Sequence, residues 1–247
     1  MRYFIELSYE GTSFVGWQRQ PKGESVQACL EDALCILFRE SIAVVGAGRT
    51  DAGVHARQLF AHVDLPVKLP EDLIFRLNKL LPKSIAVLAF FPVLQESHAR
   101  FDAISRSYTY IITTKKNPFL EKRAYQFTKN LNIDLMNEAA AILLTHKDFK
   151  CFSKSKTDVK TYICNVLKAN WERKEHKLIF SIQANRFLRN MVRAVVGTLI
   201  EVGLEKVRID DFKNILASRD RSQAGYSVPA HGLYLINVSY PKHIFAV

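Results

Sequence analysis

Strand-length apolar runs recur along almost the whole chain, and only a few stretches of helical periodicity interrupt them. Residues 2–9, 59–65, 85–91, 105–113 and 233–238 each read as a strand. Residues 161–171 and 177–184 read as a hairpin around Arg173-Lys174-Glu175-His176. Behind Ser25, a suitable cap, Val26, Leu30, Ala33, Leu34 and Leu37 recur at helical spacing. A second helix opens near Pro70-Glu71-Asp72, a third spans Asp134 to Leu144, and a long one runs from Phe187 to Val202 and ends at Gly203. This succession predicts an α+β fold with a mixed, mainly antiparallel central sheet flanked by helices. With 247 residues and no low-complexity linker, the chain is expected to form two similar subdomains, 1–104 and 105–247, that share the sheet and have a basic cleft between them.

Composition narrows the partner. Hydrophobic residues make up 48% of the chain and aromatics 11%, enough to bury a substantial core. A formal charge of +11 and a pI near 9.5 point to a polyanion, either nucleic acid or an acidic membrane surface. No apolar stretch approaches the roughly 18 residues of a membrane span. The amino terminus, Met1-Arg2-Tyr3-Phe4-Ile5-Glu6, has no signal-peptide core, so a cytoplasmic protein without a membrane partner is expected. Cys29, Cys35, Cys151 and Cys164 lack metal-site spacing and read as buried, reduced thiols. No metal or cofactor is called for.

The chemistry concentrates in Gly48-Arg49-Thr50-Asp51-Ala52-Gly53-Val54-His55-Ala56, which follows the apolar segment Ile42 to Ala47. Asp and Gly favour turns for local reasons alone. Here, however, Arg49, Thr50, Asp51 and His55 crowd into seven residues of a loop between apolar stretches, where a rigid scaffold presents polar groups. Strand period two places Arg106, Tyr108 and Tyr110 on one face, as a core stripe with an arginine at its rim or as a stacking surface beside a phosphate contact. His98-Ala99-Arg100-Phe101-Asp102 leads into that strand. On the long helix, Arg189 and Arg193 are four apart and share a face, either snorkelling or pairing with a buried acid.

Taken with Tyr9-Glu10-Gly11-Thr12, Gly16-Trp17-Gln18-Arg19-Gln20-Pro21, Phe187 to Gly197 and His231-Gly232-Leu233-Tyr234-Leu235, these motifs resemble, in order and from end to end, those of the tRNA pseudouridine synthase A family. The resemblance implies the pseudouridine synthase fold and isomerisation of uridine to pseudouridine in the anticodon stem-loop of tRNA. It implies that Asp51 is the catalytic aspartate, that Tyr108 packs against the target uracil, that Arg193 pairs with the aspartate and that Arg49 helps displace the nucleotide. Arg106 joins the substrate-binding set, and Arg19, His55, Arg100 and Arg189 are candidates for the RNA backbone. A homodimer is implied as well. Around Phe149 to Ser153 and Lys160-Thr161 the chain departs from the family, with Lys160 offering a point charge where arginine is common.

The implied reaction suits these residue types, because it needs a carboxylate and neither redox cofactor, P-loop nor metal. A paired uridine must be flipped out first, at a cost of a few kcal/mol that backbone contacts offset. A non-catalytic RNA-binding protein or RNA chaperone on the same scaffold is the alternative, and it leaves Asp51 without a purpose.

Overall fold

The computed structural model describes residues 1–65, 68–155 and 159–245. Contacts divide the chain into two compact units, Met1–Ile104 with Tyr234–Val247, and Ser105–Leu233. In chain order the first unit contains β1 (Arg2–Tyr9), α1 (Val26–Phe38), β2 (Val44–Gly46), β3 (His55–Asp64), α2 (Leu73–Leu80) and β4 (Ile85–Pro92). The second contains β5 (Ser105–Thr113), β6 (Tyr125–Gln126), α3 (Ile133–Thr145), β7 (Val166–Lys174), β8 (Lys177–Ala184), α4 (Met191–Gly203) and α5 (Ile209–Ser218). A last strand, β9 (Leu233–Ser239), lies parallel to β3 with His55 opposite Tyr234. The segment from Tyr234 onward, expected with the second subdomain, therefore groups with the first.

In the first unit β1 is antiparallel to both β3 and β4, and β2 extends β3. Phe4 faces His62 on one side and Phe91 on the other, so these three project from one face. Tyr240 covers that face, with its ring 5.0 Å from Phe4 and 5.4 Å from Phe60. Ile5 and Leu7 are fully buried, and α1 and α2, in contact with each other, bury Leu30, Leu34, Leu73 and Leu77. In the second unit β8 lies between β5 and β7, antiparallel to each, and α3 packs on β7 and on α4. Each unit is thus a mainly antiparallel sheet with helices, the α+β arrangement that the period-two runs predict.

Both units treat one strand in the same way. Asn78 of α2 donates to the Val87 carbonyl and accepts the Val87 N–H, each at 2.8 Å. Asn137 of α3 makes the same pair of bonds to Trp171 of β7, at 3.1 and 2.7 Å. An asparagine amide carries its donor and its acceptor on two separate atoms, so one side chain satisfies both the N–H and the C=O of a backbone unit that would otherwise be open to another strand.

Helix boundaries follow their caps. Ser25 Oγ accepts the Ala28 N–H at 3.2 Å, and α1 ends where Arg39 turns left-handed. The long helix begins at Met191 and not at Phe187, because Asn190 is left-handed with φ 67° and cannot continue a helix backward. Arg189 and Arg193 consequently do not share a helix face. α5 was not expected from the sequence, although Asp210 and Asp211 in its first turn favour a helix start, with Asp211 accepting from the Arg208 N–H and guanidinium. The hairpin strand starts at Val166, and β3 reaches back to His55. Cys151 and Cys164 are buried as expected, Cys29 is half-buried, and Cys35 is exposed. Burial pushes the thiols of Cys29 and Cys151 up to about 12 and that of Cys164 to about 11, which keeps them protonated. The middle of the 149–161 loop, Lys156 to Asp158, lies outside the described residues.

His62 on β3 carries a pH dependence. It is 7% exposed, and its Nδ1 accepts the Ala99 N–H at 3.1 Å. Burial, reinforced by the Arg2 charge, lowers its pKa to about 4. The folded state therefore favours the neutral ring, and the stability this contributes is present above the unfolded value near 6.5 and lost as pH falls toward about 4. Burial lowers the neighbouring His98 in the same direction. The thermal midpoint is expected to drop between pH 7 and 4.5, and His62→Asn, which retains an acceptor, should flatten much of that drop in circular-dichroism melts.

Candidate active site

Asp51 sits in a loop built by close backbone approach. Gly16 and Asp51 form an isolated antiparallel bridge, and the Trp17 N–H donates to the Thr50 carbonyl at 3.2 Å. Gly16 has φ +111°, and a Cβ there would lie 2.4 Å from the Thr50 oxygen. At Gly11 a Cβ would lie 2.0 Å from the Val54 oxygen. Both positions admit only glycine without a backbone shift. The Thr50 hydroxyl and Tyr9 Oη are 2.8 Å apart in the buried layer below, and the Val54 N–H closes a turn onto the Asp51 carbonyl at 3.2 Å. Asp51 itself is half-buried and Arg49 is exposed.

His55 braces this loop from inside. It is 2% exposed, stacks on Tyr234 at 4.6 Å, and its Nδ1 accepts the Gly11 N–H at 3.0 Å. Glu10 Oε1 lies 3.3 Å from the same nitrogen. The Gly11 N–H and the Glu10 carboxylate thus both approach this one ring nitrogen. Glu10 also accepts the Thr12 hydroxyl.

The other candidates of this unit lie apart from one another. Arg19 is exposed and directs its guanidinium to Glu31 at 2.9 Å and Asp32 at 2.7 Å on α1. Arg100 is exposed beside Phe101, at the His62 end of β3. Since His62 is seven residues along the strand from His55, Arg100 stands on the order of 20 Å from the Asp51 loop.

In the second unit, Arg106 and Tyr108 lie opposite Ala184 and Ile182 on β5. Arg106 donates to the Asn185 carbonyl at 2.9 Å, and the half-buried Tyr108 ring meets Phe187 edge-on at 5.2 Å. Tyr110, on the same face by alternation, is fully buried, and its hydroxyl donates to the Pro229 carbonyl at 2.8 Å. The stripe is therefore half core and half accessible surface. Arg193, in the first turn of α4, donates through Nε to the Val228 carbonyl at 2.7 Å, next to the carbonyl that Tyr110 uses. The 224–228 segment that supplies these carbonyls is tied down in turn. Arg221 donates to the carbonyls of Ala224 and Gly225 and to Ser227, and the Tyr226 carbonyl presses on α4 where a Cβ at Gly197 would lie 1.8 Å away. Arg189 is exposed, and its carbonyl accepts the Lys154 N–H at 3.0 Å.

Comparison with known proteins agrees over the whole chain. A family model described as tRNA pseudouridine synthase matches residues 7–102 and 139–241. A protein from Parabacteroides distasonis named tRNA pseudouridine synthase A is 51% identical, covering 100% of this chain and 98% of its own. Proteins of the same name from Bacillus subtilis and Shewanella amazonensis are 40% and 39% identical over 97% and 98% of this chain, and over 99% and 94% of their own. The chain belongs to the tRNA pseudouridine synthase family. Of the candidate residues, Arg19, Arg49, Asp51, His55, Arg100, Arg189 and Arg193 lie in the two matched segments, whereas Arg106 and Tyr108 lie between them.

Sequence reasoning did not single out Arg221, whose fork organises the segment under Arg193, or Gly11 as a contact point. The arginine directly ahead of Ser222-Gln223-Ala224-Gly225 is the local signal, since an irregular segment of small residues needs an external donor for its carbonyls. Among the described residues no helix is long and apolar enough to cross a membrane.

The two ends of the Asp51 loop make opposite predictions. Gly16→Ala combines a clash with a left-handed backbone and should cost at least ~2 kcal/mol in urea unfolding. At Gly48 a Cβ meets nothing within 4 Å, so Gly48→Ala is expected to change stability by less than about 0.5 kcal/mol.

Proposed function

We propose that this chain isomerises uridine to pseudouridine in the anticodon stem-loop of tRNA, with Asp51 as the catalytic carboxylate. The full-length match to proteins named tRNA pseudouridine synthase A carries the substrate and reaction. The bond from uracil N1 to ribose C1′ breaks, the base turns, and C5 joins C1′. The C5 hydrogen leaves as a proton and N1 ends protonated, so the reaction is an isomerisation without net redox change. A carboxylate serves this by adding to uracil C6, attacking C1′ or removing the C2′ proton. A half-buried Asp51 on a loop pinned through Gly11 and Gly16 supports this reading, since a nucleophile or base is effective when its position is fixed in advance.

In the same reading Tyr108 stacks on the flipped uracil, a contact worth ~1–3 kcal/mol. Its half-exposed ring suits that role. Arg49 helps displace the target nucleotide, Arg193 is the counter-charge of the carboxylate, and Arg106 takes a phosphate. Arg19, Arg100 and Arg189 contact the RNA backbone. For Arg19 this requires exchanging the exposed Asp32 and the largely buried Glu31 for phosphate. His55 acts through the loop it braces. The protein works in the cytoplasm as a homodimer.

Tritium release from tRNA labelled at uracil C5 tests the proposal, because forming the new carbon–carbon bond must expel that hydrogen. The intact protein should release tritium and Asp51→Asn should not, at a loss of at least about 10³-fold, while binding tRNA comparably. Tight tRNA binding by the intact protein with no release would refute it.

A further inference from the structure

Phe119 is 84% exposed, and it is held outward by a rigid turn. The Asn117 side chain accepts the Phe119 N–H at 3.0 Å, and Pro118 fixes the backbone between them. The Ala124 N–H returns to the Leu120 carbonyl at 3.0 Å, and Thr113 Oγ1 donates to the Lys115 carbonyl at 2.7 Å. The backbone that carries this ring is thus held by its own hydrogen bonds, and the ring stands in water.

Cations are frequent on this turn. Lys115, Lys116, Lys122 and Arg123 are exposed on it, as is Glu121. The Thr114 N–H donates to the His176 carbonyl at 2.9 Å, which brings the tip of the β7–β8 hairpin, with Arg173, the Lys174–Glu172 ion pair and Glu175, to the same end of the sheet. Tyr108 lies five residues from Thr113 at this end of β5, a span of roughly 17 Å along the strand. The turn also lies in the stretch that the family model leaves unmatched.

We propose that this end of the second unit is a separate RNA-contact surface, on which Phe119 stacks an unpaired base while Lys115, Lys116 and Arg173 contact phosphates. Lysine is depleted at the centres of protein–protein interfaces, whereas an aromatic ring among lysines is the composition of single-strand binding surfaces. The base must be unpaired, because a duplex offers no open base face. The inference rests on the proposed tRNA activity only for the identity of the RNA that arrives.

The test is Phe119→Trp, read by fluorescence against the two native tryptophans, Trp17 and Trp171, which are 2% and 4% exposed. Oligouridine should quench the added red-shifted emission, and the apparent affinity should fall steeply between about 50 and 200 mM salt. Phe119→Ala and the pair Lys115→Glu with Lys116→Glu should each raise the Kd for unmodified tRNA about tenfold. Emission unaltered by saturating oligouridine, with an unchanged Kd for both variants, overturns the proposal. So does emission that shifts with protein concentration without RNA, which would make the surface a contact between copies of this chain. If the intact protein released no tritium but the quenching and Kd changes persisted, the catalytic reading would fail and this surface would stand.

Discussion

Two carbonyl oxygens, those of Thr50 and Val54, press on positions where any side chain would collide, and the geometry of the Asp51 loop depends on that contact. Because Gly16 and Gly11 lack a Cβ, the 10–17 segment lies directly on the 50–54 segment, backbone to backbone. A loop stabilised in this way does not rely on long side chains with rotamer freedom to lose. Its polar groups are satisfied below the surface by Tyr9 and His55, so Asp51 is presented from a support that is itself fully engaged. That preorganisation suits the catalytic role proposed for Asp51.

The second unit reaches the same end by another route. Gly197 lets the Tyr226 carbonyl approach the axis of α4, and Arg221 then holds the 224–227 carbonyls in one arrangement. The outcome is a fixed acceptor, Val228 O, for the Nε of Arg193. With one guanidinium nitrogen committed at 2.7 Å, the plane and direction of the group are constrained. A lysine could not be aimed in this way, having no second donor to spare along a rigid plane.

Much of this was legible before any coordinates. Strand periodicity placed β1, β4, β5 and β9 to within a residue or so, and Ser25 marked the start of α1 because a cap is a local event. The run around Asp51 was likewise legible as a loop leaving a strand, β2, although His55 falls on β3. What escaped was non-local or set by one unusual dihedral. Asn190 turns left-handed under tertiary contacts, including its bond to Ser227, and so detaches Arg189 from the helix of Arg193. Alternation predicted a common face for Tyr108 and Tyr110, but not that Pro229 would bury one hydroxyl and leave the other ring accessible. Arg19 gives no local hint of its carboxylates, because Glu31 and Asp32 are brought to it by the packing of α1. Cys35 falls on an apolar-looking helix yet on its solvent side.

The positive excess is also not spread evenly in its effect. Arg2, Arg19, Arg208 and Arg219 each lie within 2.7 to 3.0 Å of a carboxylate, so their charge is largely compensated where it stands. The run from Lys115 to Arg123 holds four cations and one carboxylate, Glu121. Like charges this close in sequence on an exposed turn repel one another, a cost that folding alone gives no reason to accept. An exposed phenyl ring in their midst adds a second unfavourable term, because its area stays in water. Both terms are relieved by the same kind of ligand, a polyanion with flat apolar faces. A chain of formal charge +11 that needed only solubility would disperse its lysines and bury its phenylalanines, and at this turn it does neither.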